Sequence, residues 1–388
     1  MIAAAAATAA PAAPPVWKVV AEVVYFVGLV GLTGASAAYV LVVAPALRRG
    51  TDEVGETVAR RAGSWFAALG PFAIVALWLQ LAAVTAAGTK GLSFGAALSP
   101  AAIAHWLATP ADAGWISPGA LLALQNLLYL AAAIALTTLV VGARTGTRVR
   151  TVAITAAVAS IAGTVVGAVP VAATAFAKGL STALTQVHVL GGTTWIGGLA
   201  FLAALGIATR RVPGSDDVWA VAWQRFSTLA MVAVGCVLAS GLWLLWMHVG
   251  TPAQLLTTTY GRFLLVKLAL VLVMLVAGAL NQLSLLPRIA RLRRSAPADV
   301  SLLRLTMRRF PLVVAAEAAL GLGVLVIVPF LSGSARKQAG DTGSTAVDAG
   351  VLTVGVLFVA MLAVSFVATV KVGNRLGRRD PAALVEVG

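Results

Sequence analysis

The chain has 388 residues, 60% of them hydrophobic, a mean hydropathy of +0.96 and a formal net charge of +15. So apolar a composition excludes an ordinary soluble domain. The single cysteine excludes a disulfide framework and a Cys-pair metal site.

The first residues, Met1 to Pro15, are rich in Ala and Pro and carry no charge ahead of Lys18. A cleaved signal needs positive charge before its apolar core. Residues 1–17 therefore read as a disordered tail outside the membrane. Nine apolar stretches follow, near 18–43, 64–87, 119–143, 150–170, 180–208, 224–247, 261–286, 311–332 and 350–371. About 20 residues at ~1.5 Å rise cross the ~30 Å hydrocarbon core. Strand-like alternation is missing and Gly and Ala are abundant within the runs, which favours helices over a barrel. The predicted fold class is an all-α polytopic membrane protein, a bundle of about nine transmembrane helices.

The basic residues are placed unevenly. Arg48, Arg49, Arg60 and Arg61 separate the first two spans, and Arg144, Arg148 and Arg150 the third and fourth. Arg210, Arg211 and Arg225 flank the loop between the fifth and sixth. Arg288, Arg291, Arg293, Arg294, Arg304, Arg308 and Arg309 lie between the seventh and eighth. Lys371, Arg375, Arg378 and Arg379 follow the ninth. The alternate loops hold only Lys90, Lys178, Arg336 and Lys337. This is the positive-inside pattern of a bacterial inner (plasma) membrane protein, with the N-terminus outside and the C-terminus cytoplasmic. Such a basic face is expected to meet anionic lipid headgroups rather than nucleic acid.

The first eight spans read as two parallel four-helix halves, 18–170 and 171–332. The first and fifth spans both end in paired arginines, Arg48-Arg49 and Arg210-Arg211, and the fourth and eighth both close on Val-Pro, at Pro170 and Pro329. Residues 333–388 then supply a linker, a ninth span and a basic tail. The loop 88–118, with His105-Trp106 and Trp115, suggests a short surface helix, and the Arg-rich stretch 288–310 a lipid-surface helix. Trp17, Trp65, Trp115, Trp219 and Trp223 read as interfacial anchors.

The halves differ in chemistry. The fifth stretch contains Gln186-Val-His188-Val-Leu-Gly-Gly-Thr-Thr-Trp195-Ile-Gly197-Gly198. A histidine at membrane depth is costly unless it binds, relays or pairs. The paired glycines suit close helix approach. The second half also holds Met231, Cys236, Met247, His248, Lys267, Met274 and Glu317, whereas the spans of the first half lack His, Cys and Met and keep Glu22.

These residues resemble the bacterial copper resistance D (CopD-type) membrane family. The resemblance lies in His188 followed by Trp195-Ile-Gly197-Gly198, then Arg225-Phe226-Ser227, Ser240-Gly241, Tyr260-Gly261, Lys267, Asn281, Leu286-Pro287, Arg309, Glu317-Ala318 and Pro329, in that order. It covers about 180–330, and the first four spans by architecture alone. It implies a membrane protein that moves copper, usually inward, contributes to copper tolerance, and works beside a small periplasmic copper-binding protein.

Copper(I) prefers thioether and thiolate ligands and accepts imidazole. Given that resemblance, His188, Met247, His248, Cys236 and Met274 are the candidate metal ligands, with copper as substrate. Met247 and His248 fall at the outer mouth and His188 deeper. Cys236 and Met274 have packing as their other reading. Lys267, Glu317 and Glu22 are candidate gating or charge-coupled groups. Lys267 is expected to pair with Glu22, and Glu317 to sit near Asn281 as an exit-side carboxylate or proton carrier. No haem is expected, since paired axial histidines are missing. No Ser/His/Asp set suggests an enzyme. The alternative to transport is a non-transporting assembly factor or scaffold delivering copper to a respiratory oxidase.

Overall fold

The computed structural model describes residues 13–110, 116–169, 176–281, 300–341 and 349–378, with backbone alone for 300–310, 369–370 and 372–378. Trp115, Leu286-Pro287, Arg288, Arg291, Arg293, Arg294 and Arg379 lie outside the described residues, as does most of the tail at 1–17. Among the described residues nine helices are long and apolar enough to cross a membrane, and there are no strands. The protein is an all-α polytopic membrane protein.

The spans are Val16–Leu47, Asp52–Gly88, Pro118–Val140, Gly146–Val166, Phe176–Thr209, Ser215–His248, Thr259–Leu280, Pro311–Phe330 and Gly350–Ala368. Several helices outrun their apolar stretch. The second begins at Asp52, where the Thr51 hydroxyl accepts from the Val54 amide and Asp52 and Glu53 occupy the first turn. The sixth begins behind Gly214, whose φ of 77° suits glycine, and carries Asp216 and Asp217 in its first turn. The helix containing the eighth span starts at Val300, so the described part of the Arg-rich stretch continues that span and forms no separate surface helix. The loop after the second span forms two short helices, Phe94–Ala97 and Pro100–Leu107, with Ser93 and Ser99 as N-caps. Phe94 stacks on Trp17 at 5.0 Å.

Spans one and five form the centre of the bundle. Their apolar windows are 72% and 67% buried, against 0% for span nine. Span one packs on spans two, four and five, and span five on spans six and eight. The crossing of one and five is glycine on glycine. A Cβ at Gly34 would collide with the Thr193 carbonyl oxygen and with Gly197, and one at Gly197 would collide with the Val30 carbonyl oxygen. With no hydrophobic drive between helices in lipid, such close backbone packing supplies the attraction. Span one winds here in π-helical turns, Val30–Ala35 and Tyr39–Val43. Below the crossing, Tyr39, Phe66 and Phe201 join spans one, two and five, with Phe66 and Phe201 stacked at 5.1 Å.

Arginines close helix ends. Arg144 Nε donates to the Leu139 carbonyl (2.9 Å), Arg148 Nη2 to that of Thr138 (2.7 Å), and Arg61 to that of Ala208. Each satisfies a carbonyl that a helix C-terminus leaves open.

Trp219 and Trp223 are not interfacial anchors. They are 4% and 3% exposed, 5.4 Å apart, and Trp219 Nε1 donates to Thr209 Oγ1 at 2.9 Å. The helical extension of span six turns them inward, toward span five.

Candidate functional site

Spans five to nine enclose a cavity of about 300 Å³. Its walls are mainly aromatic and aliphatic: Trp195 and Leu199 from span five, Trp223 and Phe226 from span six, Val314 from span eight and Phe366 from span nine. Its polar and soft groups are Ser227 and Met231 on span six, Met274 and Asn281 on span seven, Glu317 on span eight and Ser365 on span nine. A mostly apolar pocket with a few polar groups is the usual form of a binding site.

Among the described residues Glu317 is the one titratable residue lining this cavity. It is only 7% exposed, and Asn281 Nδ2 donates to its Oε1. A buried carboxylate needs such partners, because unpaired charge in an apolar medium is strongly disfavoured. Met274 is 1% exposed and its Cε lies over Gly321 of span eight. The two thioethers and the carboxylate line one wall system, so a soft cation or a proton has partners of both kinds there. Met231 was not singled out as a ligand from sequence. Its signal was its place six residues past Arg225, a depth resembling that of Met274, seven residues before Asn281, on an antiparallel span.

His188 lies elsewhere, on the seam between spans five and six. Its Nδ1 is 3.1 Å from Ser240 Oγ, and the Ser240 hydroxyl donates to the Cys236 carbonyl. His188 and Ser240 are thus joined side chain to side chain across the seam. Cys236 is on the same seam, its Cβ facing Gly191, which is almost one turn from His188 on span five. Gly191 and Gly198 of the glycine pairs also press on span six, against the Ala233 carbonyl and the Phe226 ring, while Gly192 faces nothing within 4 Å. The seam and the cavity use different faces of span six, since Met231 and Cys236, five residues apart, differ by ~140° about a helix of 3.6 residues per turn.

Met247 and His248 stand at the far end of span six. His248 Nδ1 donates to the Leu244 carbonyl at 2.8 Å, and its ring stacks on Tyr260 at 5.9 Å. Arg336 donates to the Trp246 carbonyl (3.2 Å) and pairs with Asp341 (3.1 Å), tying the end of span six to the segment after span eight.

Lys267 and Glu22 do not form the expected pair. Glu22 pairs with Lys18 one turn earlier on its own helix, at 3.8 Å. Lys267 lies on span seven. The eight candidates thus fall into a cavity set (Met274, Glu317), a seam set (His188, Cys236), a mouth set (Met247, His248), and Lys267 and Glu22 apart. Among the described residues no three of His, Cys, Asp and Glu gather to hold a metal ion.

The cavity residues from Trp223 to Glu317 lie in one continuous stretch of sequence that corresponds to a known family. Residues 220–331 match copper resistance protein D, CopD. The CopD segment runs through spans six, seven and eight. It begins after His188, so the match is narrower than the sequence resemblance, which started at about 180. A relative in Bacillus subtilis (strain 168), copper transport protein CutJ, is 34% identical over 110 residues. That stretch is 28% of this chain and 20% of the relative's length. No solved structure matches the chain. The likeness supports a role in copper handling.

Proposed function

We propose that the protein transports copper across the bacterial inner membrane, in the inward direction, as part of copper homeostasis and tolerance. The observation that carries this reading is that the CopD segment builds a membrane cavity with two methionines and a buried, amide-bonded glutamate. Copper(I) entering at Met247 and His248 would meet the imidazoles of His248 and His188, then the thioethers and Glu317 of the cavity. Sparse sites of this kind hold an ion weakly enough to release it, which conduction requires. The positive-inside distribution supports an outer N-terminus and a cytoplasmic C-terminus. The two-halves organisation belongs to the same proposal: spans one and five meet at the centre, and each packs on the span that follows it and on the last span of its own half. A periplasmic copper-binding protein remains the proposed donor.

The thin ligand set favours one other reading, a non-transporting scaffold that delivers copper to an oxidase. Uptake by proteoliposomes separates the two. Copper accumulation by wild-type vesicles, reduced at least about tenfold by His188→Ala, supports transport. Absence of uptake by well-incorporated wild-type protein overturns it in favour of the scaffold.

A further inference from the structure

A second cavity, of about 470 Å³, lies at the arginine-bearing end of the first half, outside the CopD segment and independent of the copper path. It sits where the last turn of span one meets the first turns of spans two and four. Arg48, Asp52, Glu56 and Arg150 line it, two charges of each sign. Among the described residues Arg48, Asp52 and Arg150 have no ion pair, although they surround the same space. Glu56 accepts from the Gly146 amide through both oxygens (3.3 and 3.2 Å), closing the N-terminus of span four and keeping lone pairs free for a further donor. Tyr39 lies at the floor. It is 1% exposed and lines the cavity, and its hydroxyl has no hydrogen-bond partner among the described residues.

The cavity also opens sideways into the membrane. Ile154 belongs to its lining and is 38% exposed, and Val158, one turn deeper on the same face of span four, is 63% exposed. An occupant with a polar head and an apolar tail therefore has a surface for each part. Paired positive and negative side chains match a zwitterion better than an anion, because a purely anionic head would leave Asp52 and Glu56 facing like charge.

We propose that this cavity binds a lipid with a phosphoethanolamine headgroup, its phosphate on Arg48, Arg150 and the Tyr39 hydroxyl, its ammonium on Asp52 and Glu56, and an acyl chain along Ile154 and Val158. A primary ammonium donates charge-assisted hydrogen bonds to carboxylates, which a trimethylated choline head cannot do.

The test is native mass spectrometry of the purified full chain, delipidated and then offered equal amounts of phosphatidylethanolamine, phosphatidylglycerol and phosphatidylcholine. Wild-type protein is expected to retain phosphatidylethanolamine about tenfold over either competitor. The double variant R48Q/R150Q is expected to lose that retention, and Asp52→Asn to narrow the preference over phosphatidylglycerol. Free phosphoethanolamine at equal concentration is expected not to displace the lipid. Equal retention of the three lipids by wild type overturns the proposal whatever the variants do. Unchanged retention in the folded double variant also overturns it. Displacement by free phosphoethanolamine overturns the lipid assignment and points to a soluble ligand.

Discussion

Asn281 and Glu317 are joined by a hydrogen bond from amide to carboxylate, across the interface of spans seven and eight and at the edge of the cavity. The amide satisfies one oxygen of a carboxylate that water scarcely reaches. Removing either partner separates charge from support. Glu317→Gln keeps shape and an acceptor for the amide but removes the charge. Its expected result is a well-folded protein whose copper uptake in proteoliposomes falls by at least about tenfold. Glu317→Ala leaves Asn281 unpaired, and a drop in stability of about 1–3 kcal/mol is expected in thermal unfolding in detergent. Wild-type uptake by the glutamine variant would remove the carboxylate from the path.

Ser240 holds His188 through a hydrogen bond at Nδ1, so His188→Ala and Ser240→Ala differ in what they remove. The first deletes the imidazole, and copper accumulation is expected to be abolished with membrane insertion intact. The second leaves the ring but frees its orientation. Uptake is then expected to fall only several-fold, by the order of ~1 kcal/mol that one neutral hydrogen bond contributes. Equal losses in the two variants would assign the seam a packing role.

The glycine pairs of span five predict opposite outcomes a few residues apart. Gly197→Ala places a methyl against the Val30 carbonyl at the central crossing, and a loss of about 1–3 kcal/mol or more is expected from overpacking. Gly192→Ala meets open space, and a gain of up to about 1 kcal/mol is expected from helix propensity. Thermal unfolding of both variants in one detergent decides the matter. Equal behaviour would mean that spans one and five do not cross where described.

Orientation is open to a direct check. A tag following residue 388 is expected to be protected from external protease in right-side-out cells and digested in inverted vesicles. Digestion in intact cells would reverse the topology and the proposed direction of every step along the cavity.

Much of the fold was legible because lipid imposes a coarse rule on sequence. Long apolar runs must be helices, and each predicted run corresponds to one of the nine spanning helices among the described residues. What hydropathy missed were the helix extensions at Asp52 and Ser215, since their charged first turns are stabilised by caps and dipoles rather than by burial. Trp219 and Trp223 were misread for the same reason: they lie in the extension of span six, and only the packing of span five against it shows that they face inward. The candidate site was legible as residue types but not as groups. Glu317 near Asn281 was readable from depth, because depth follows from counting residues along a span. The separation of His188 from the cavity depends on helix rotation, which no count along the chain supplies. Lys267 and Glu22 share a depth, yet Glu22 is held by Lys18.

Arg61, Arg144 and Arg148 hold carbonyl groups at the ends of spans five and three. In the proposed orientation, the residues that would tell the insertion machinery which way round to thread the chain are also the stitches that keep its helix ends from fraying. Moving these charges to invert the protein in the membrane would unpick the same seams, so threading and stability are bound to change together.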